Sequence, residues 1–118
     1  MRYISLFSHA RRDAQPTPEE MASMGKLIEA GLKAGWLIVT EGTQIGSKGT
    51  RVRNNDGEIS VVDGPFAEAK EVVGGYAILR ANSKEEAIGL CKTFLKEIGG
   101  DGVCELHPLY EMPAGGTI

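Results

Sequence analysis

Two short runs, Trp36-Leu37-Ile38-Val39 and Tyr76-Ala77-Ile78-Leu79, carry apolar side chains at consecutive positions. In a strand, successive side chains point to opposite faces, so a sheet built on these runs is apolar on both sides. An antiparallel sheet wetted on one face alternates apolar and polar residues, and these runs do not. Both faces therefore need a cover. A chain of 118 residues supplies about one domain and no second core.

Two helices are signalled, enough for one face. Thr17-Pro18-Glu19-Glu20 is a helix start: Thr17 caps, Pro18 sits where its missing N–H costs nothing, and Glu20 completes a capping box. Met21, Met24, Leu27, Ile28 and Leu32 follow at helical spacing, and Gly35 supplies a stop. Ser83-Lys84-Glu85-Glu86 opens a second helix with Ala87, Ile88, Cys91, Phe94, Leu95 and Ile98 on one side, ended by Gly99-Gly100. Strands are expected over 3–7, 36–40, 50–53, 59–62, 75–80 and 103–110, with 63–73 as the least regular stretch. Asn55-Asp56-Gly57 marks a hairpin turn, because these residues tolerate positive φ.

Setting that hairpin aside leaves strand, helix, strand, strand, helix, strand. This is a ferredoxin-like α+β arrangement, with two helices on one face of an antiparallel sheet and an inserted hairpin. The second face then falls to a second copy of the chain, and a two-fold homodimer is expected. The domain is expected over 1–112, with 113–118 as a loose tail.

Composition excludes several function classes. Thirteen basic and 16 acidic residues give a net charge of −3, which is no footprint for nucleic acid or an anionic membrane. No apolar run approaches the ~20 residues of a membrane span, and the N-terminus lacks the h-region of a signal peptide. Cys91 and Cys104 have no CxxC spacing and no paired histidines, so both are expected as free, mostly buried thiols. A cytoplasmic location follows as the expectation. The Gly42–Lys48 segment lacks P-loop spacing, no GxGxxG occurs, and no cofactor or metal motif is visible.

One string stands out: Val61-Val62-Asp63-Gly64-Pro65-Phe66-Ala67-Glu68-Ala69-Lys70-Glu71. It resembles the signature of the DGPF proteins, part of the wider YCII-related family. The resemblance runs from Arg2 to Glu111, through the Gly42-bearing segment, Val52-Arg53, Gly75-Tyr76 and the closing Pro108-Leu109-Tyr110-Glu111. His107 is a departure, since relatives tend to carry Arg there. The resemblance implies a dimeric α+β barrel, two ferredoxin-like sheets packed face to face with a cleft in each subunit. It also implies acidic and histidine side chains meeting in that cleft, with no substrate established for the family. DGPF proteins are often encoded beside, or fused to, alternative sigma factors of the extracytoplasmic-function type.

The candidate residues follow from their chemistry. Asp63 ends a strand beside a Gly-Pro turn, where a carboxylate can act as acid or base or simply hold the turn. Glu68 and Lys70 follow in the same loop, where neighbouring opposite charges tune each other's protonation. His9 follows the first strand, where an imidazole can shuttle a proton. Asp63, Glu68 and His9 are the catalytic candidates of a cofactor-independent acid–base enzyme acting on a small molecule. Glu41, Phe66 and Lys70 are the ligand-binding candidates. The rival expectation is a regulatory or ligand-binding module associated with a sigma factor. Tyr3, Tyr76 and Trp36 read as core or interface anchors.

Overall fold

The structure, a computed structural model, describes residues 1–10, 16–44, 48–66 and 71–111. Glu68, Lys70 and the tail from residue 113 lie outside them. Strand β1 (Arg2–Ala10) leads to helix α1 (Pro18–Ala34) and strand β2 (Leu37–Gly42). Strands β3 (Thr50–Asn55) and β4 (Glu58–Asp63) follow, then β5 (Glu71–Arg80), α2 (Lys84–Ile98) and β6 (Gly102–Pro108).

Both helices start where the caps place them. The Thr17 hydroxyl accepts the Glu20 N–H (3.1 Å), and the Glu20 carboxylate accepts the Thr17 N–H (3.0 Å). Gly35, at φ 87°, ends α1 with its N–H on the Gly31 carbonyl. Ser83 caps α2 by accepting the Glu86 N–H (3.1 Å).

Four strands form an antiparallel sheet in the order β2-β5-β1-β6. With β3 and β4 set aside, that is the order 2-3-1-4, compatible with a ferredoxin-like α+β fold. Strands β3 and β4 pair with each other as a separate two-stranded sheet, turned at Asp56 (φ 57°) and Gly57 (φ 91°).

The register decides which side chain faces which layer. Tyr3, Ser5, Phe7, Ala77, Leu79, Cys104 and Leu106 share the parity that meets the helices. The core sits there, with Tyr3, Leu37, Leu79, Ala81, Ala87 and Cys91 buried. Helix α1 approaches closely only at Gly31, where an added Cβ would lie 2.8 Å from the Trp36 ring. The opposite parity carries Leu6, Val39, Val73 and Val103, all exposed.

Three expectations are corrected. The region expected to be irregular up to Val73 is already strand from Glu71, because β1 continues to Ala10 and supplies the pairing. The last strand ends at Pro108 rather than Tyr110, since β1 offers no partner beyond Arg2 and Tyr3. The apolar stripe of α1 does not close onto the sheet: Met21 is 62% exposed and Leu32 53%. Only Ile28 of that stripe packs against the buried cluster of Leu37, Leu79 and Cys91.

Candidate functional site

Because α1 touches the sheet closely at one end only, a cleft of about 1010 Å³ opens between the helices and the sheet. Met21, Met24 and Leu27 of α1, Leu90 and Phe94 of α2, and Phe7 of β1 make its walls largely apolar. Phe7 meets Phe94 edge to face, with ring centroids 5.0 Å apart. That contact ties β1 to α2 and fixes one wall.

The polar groups gather near a local irregularity in β5. Phe7 pairs with Gly75 and Ser8 with Val73, so Gly74 is an extra residue, a bulge in the ladder. A Cβ on Gly74 would come within 2.5 Å of the Phe7 ring and 2.9 Å of the His9 ring. A Cβ on Gly75 would overlap the Glu41 carbonyl oxygen. These two glycines let the β1 rings and the β2 backbone close in from either side. His9 thereby lines the cleft, and Glu41, Gly42 and Tyr76 border it, with the Glu41 and Tyr76 side chains on the Leu6 face of the sheet, away from the helices. Thr43 secures this end through its N–H to the Gly74 carbonyl (3.0 Å) and its hydroxyl to the Val73 carbonyl (2.7 Å).

The Tyr76 hydroxyl donates to Glu41 Oε1 at 2.5 Å. This hydrogen bond pushes the Tyr76 phenol above its ordinary value of 10, with burial and the Glu41 charge adding to the shift. The protonated phenol is the form that the bond holds. In an ultraviolet titration, one tyrosine is therefore expected to ionise later than an ordinary phenol. Glu41→Gln should bring that midpoint down, and an unchanged curve would count against the pairing in solution.

The sequence candidates fall into separate places. His9 lines the cleft, whereas the Glu41 side chain stands on the opposite face of the sheet with Tyr76. His9 also lies beside Phe7, with ring centroids 5.8 Å apart. Asp63 and Phe66 lie at the base of the β3–β4 pair and do not line the cleft. The Asp63 carboxylate accepts the hydroxyl of its cross-strand neighbour Thr50 (2.9 Å). Phe66 lies under the Arg51 guanidinium, 3.8 Å from its ring centroid, rather than against the core. Glu68 and Lys70 are outside the described residues. Among the described residues, no group of three His, Cys, Asp or Glu is placed to hold a metal ion.

Sequence reasoning read Tyr76 as an anchor with a polar partner but did not identify Glu41 as that partner, and it missed the bulge. Adjacent glycines inside a strand pattern were the available signal for the bulge, since they mark close backbone approach. Cys91 and Cys104 are free thiols as expected, Cys91 buried and Cys104 half-buried. Their shared location on the cleft floor was not legible from residues 13 positions apart on different elements.

An antiparallel sheet, two helices on one face and a large apolar cleft with a polar end define a small α+β protein with a ligand-sized cavity. The YCII-related domain model matches residues 1–94, and the chain belongs to that family. It is similar to an uncharacterized protein of Rhizobium meliloti (strain 1021), at 34% identity over 58 residues. That match takes in 49% of this chain and 47% of the relative, about half the length of each. No helix among the described residues is long and apolar enough to cross a membrane.

Proposed function

We propose that this protein binds a small amphipathic molecule in the helix–sheet cleft and acts on it by acid–base chemistry, as a homodimer. The observation that carries the reading is a large, mostly apolar cleft between helices and sheet with His9 on its wall. A largely apolar cavity with a few convergent polar groups is the usual form of a small-molecule site. Its volume admits a ligand of drug-like size, with the apolar body against Met24 and Phe94 and the polar end towards His9. His9 is the general base and proton shuttle in this reading.

The dimer rests on exposed apolar surface. Leu6, Val39, Val73 and Val103 are exposed on the sheet face away from the helices, and a second copy covers that face sheet to sheet. The β3–β4 pair, which follows β2 and precedes β5, adds Val52, Ile59, Val61 and Val62, also exposed.

N-phenyl-1-naphthylamine, a neutral apolar fluorophore with one N–H, tests the cleft. Wild type is expected to bind it with enhanced fluorescence. Gly25→Leu should weaken binding at least tenfold, because Gly25 lines the cleft and an added Cβ there meets nothing within 4 Å. The same change replaces a helix-interior glycine and should raise stability by up to about 1 kcal/mol, so lost binding cannot be lost folding. Equal binding by both proteins would overturn the site. The chemistry is tested with phenylacetone in deuterium oxide, by following exchange of its α protons. His9→Asn should slow protein-dependent exchange by about 100-fold or more. No exchange by wild type would turn the reading to a non-catalytic binding module.

A further inference from the structure

Two thiols sit on the cleft floor with no part in the chemistry above. Cys91 projects from α2 onto the sheet between Leu37 and Leu79, and Cys104 packs against the same cluster from β6. Both line the cleft. Cys104 sits beside Cys91 on that cluster, and the Ser5 hydroxyl lies 3.6 Å from the Cys91 sulfur. Ser5 and Cys104 share the helix-facing parity of adjacent strands, so three polar atoms converge on one point of an otherwise apolar floor.

The geometry points to Cys91 and Cys104 as a dithiol that reduces a hydroperoxide and closes to an intrachain disulfide. The Cys91 sulfur attacks the terminal oxygen of the hydroperoxide; an S–O bond forms and the O–O bond breaks. The leaving oxygen takes the thiol proton and departs as an alcohol, or as water from hydrogen peroxide. Cys91 is then a sulfenic acid. The Cys104 sulfur attacks the Cys91 sulfur, the S–O bond breaks, and water leaves with the Cys104 proton. Two thiols lose two electrons in all, and one hydroperoxide gains them.

The environment separates the two roles. The Ser5 hydroxyl, 3.6 Å from the Cys91 sulfur, can donate to a Cys91 thiolate. The neighbouring Cys104 thiol draws Cys91 below its ordinary value, burial opposes this, and Ser5 adds to the lowering. With Ser5 placed to hold its thiolate, Cys91 is the attacking thiol and Cys104 the resolving one. The proposal needs an open path through the cleft and does not need His9 or the amphipathic ligand.

The full chain is reduced, freed of reductant and treated with one equivalent of cumene hydroperoxide or hydrogen peroxide. The expected result is a mass loss of two hydrogens and a peptide map joining Cys91 to Cys104. Reaction at pH 7 should run roughly tenfold faster than for a short peptide around Cys91. Cys104→Ser should leave a sulfenic acid at Cys91 that dimedone traps, and Cys91→Ser should leave Cys104 unmodified. Circular dichroism checks that each variant folds, and the wild-type mass and map decide the matter if one does not. Faster oxidation by cumene hydroperoxide assigns an organic hydroperoxide; faster oxidation by hydrogen peroxide assigns that oxidant. Two thiols still titratable after treatment, or a disulfide joining two chains, would overturn the proposal. Fluorophore binding, measured separately, would stand or fall on its own.

Discussion

Leu6→Asp is expected to convert a particle of twice 12.6 kDa into one of 12.6 kDa, read by light scattering at micromolar concentration. Leu6 lies on β1, an inner strand of the sheet, on the face away from the helices, and is 39% exposed. Its cross-strand neighbours are Tyr76 and Glu105. In a sheet-to-sheet dimer, an aspartate there is desolvated close to the Glu105 carboxylate, whose neighbour His107 is already engaged with it at 2.6 Å. Burying an unpaired charge costs several kcal/mol per site, and two-fold symmetry doubles it. Dissociation should therefore become easier by a factor of about 1,000 or more. In the separated chain the position is already partly wet, so folding should change by about 1 kcal/mol. Leu32→Asp is the control: Leu32 is 53% exposed on α1, on the opposite side of the molecule. It should leave the dimer intact. A wild type that scatters as 12.6 kDa would end the dimer reading outright.

Gly75→Ala should lower stability by about 3 kcal/mol, roughly 12 °C in Tm for a domain of this size. At φ 155° and facing β2, Gly75 has no room for a methyl group, which would overlap the Glu41 carbonyl oxygen. That oxygen belongs to the backbone of the neighbouring strand, so no rotamer change relieves the overlap. Either the β2–β5 ladder opens or β5 twists, and both misplace the Tyr76–Glu41 pair. The identical substitution at Gly89 should have the opposite sign. Gly89 is exposed inside α2 with nothing within 4 Å of its added Cβ, so Ala gains helix propensity of up to about 1 kcal/mol. Thermal unfolding of both variants beside wild type gives the comparison. A Gly75→Ala protein as stable as wild type would mean that the two strands are not this close.

The contrast between those glycines marks what a sequence can carry. Gly35 and Gly57 end a helix and form a turn through conformations set by their own backbone, and both were legible. Gly75 matters because of a strand 34 positions earlier in the chain, and no local rule reaches it. The same division runs through the candidate site. His9 and Glu41 were singled out by residue type and by position beside strands; His9 lines the cleft, while the Glu41 side chain stands on the other face of the sheet with Tyr76. Asp63 and Phe66 were singled out by the signature string, and the structure ties them to Thr50 and Arg51 at the base of the β3–β4 pair. Motif and cavity are separate places.

The sequence by itself determined the caps, the period of each helix, the turn at Asp56-Gly57 and the parity of each strand, because these depend on torsions and spacing within a few residues. From them came the α+β class and the two-sided sheet. Only the tertiary structure decided that α1 closes at Gly31 and stands away elsewhere, leaving a cleft in place of a filled core. It also decided that Tyr76 meets Glu41 and that Cys104 meets Cys91. These depend on strand register and on the angle at which a helix settles, both set by long-range packing between parts of the chain that carry no mark of each other.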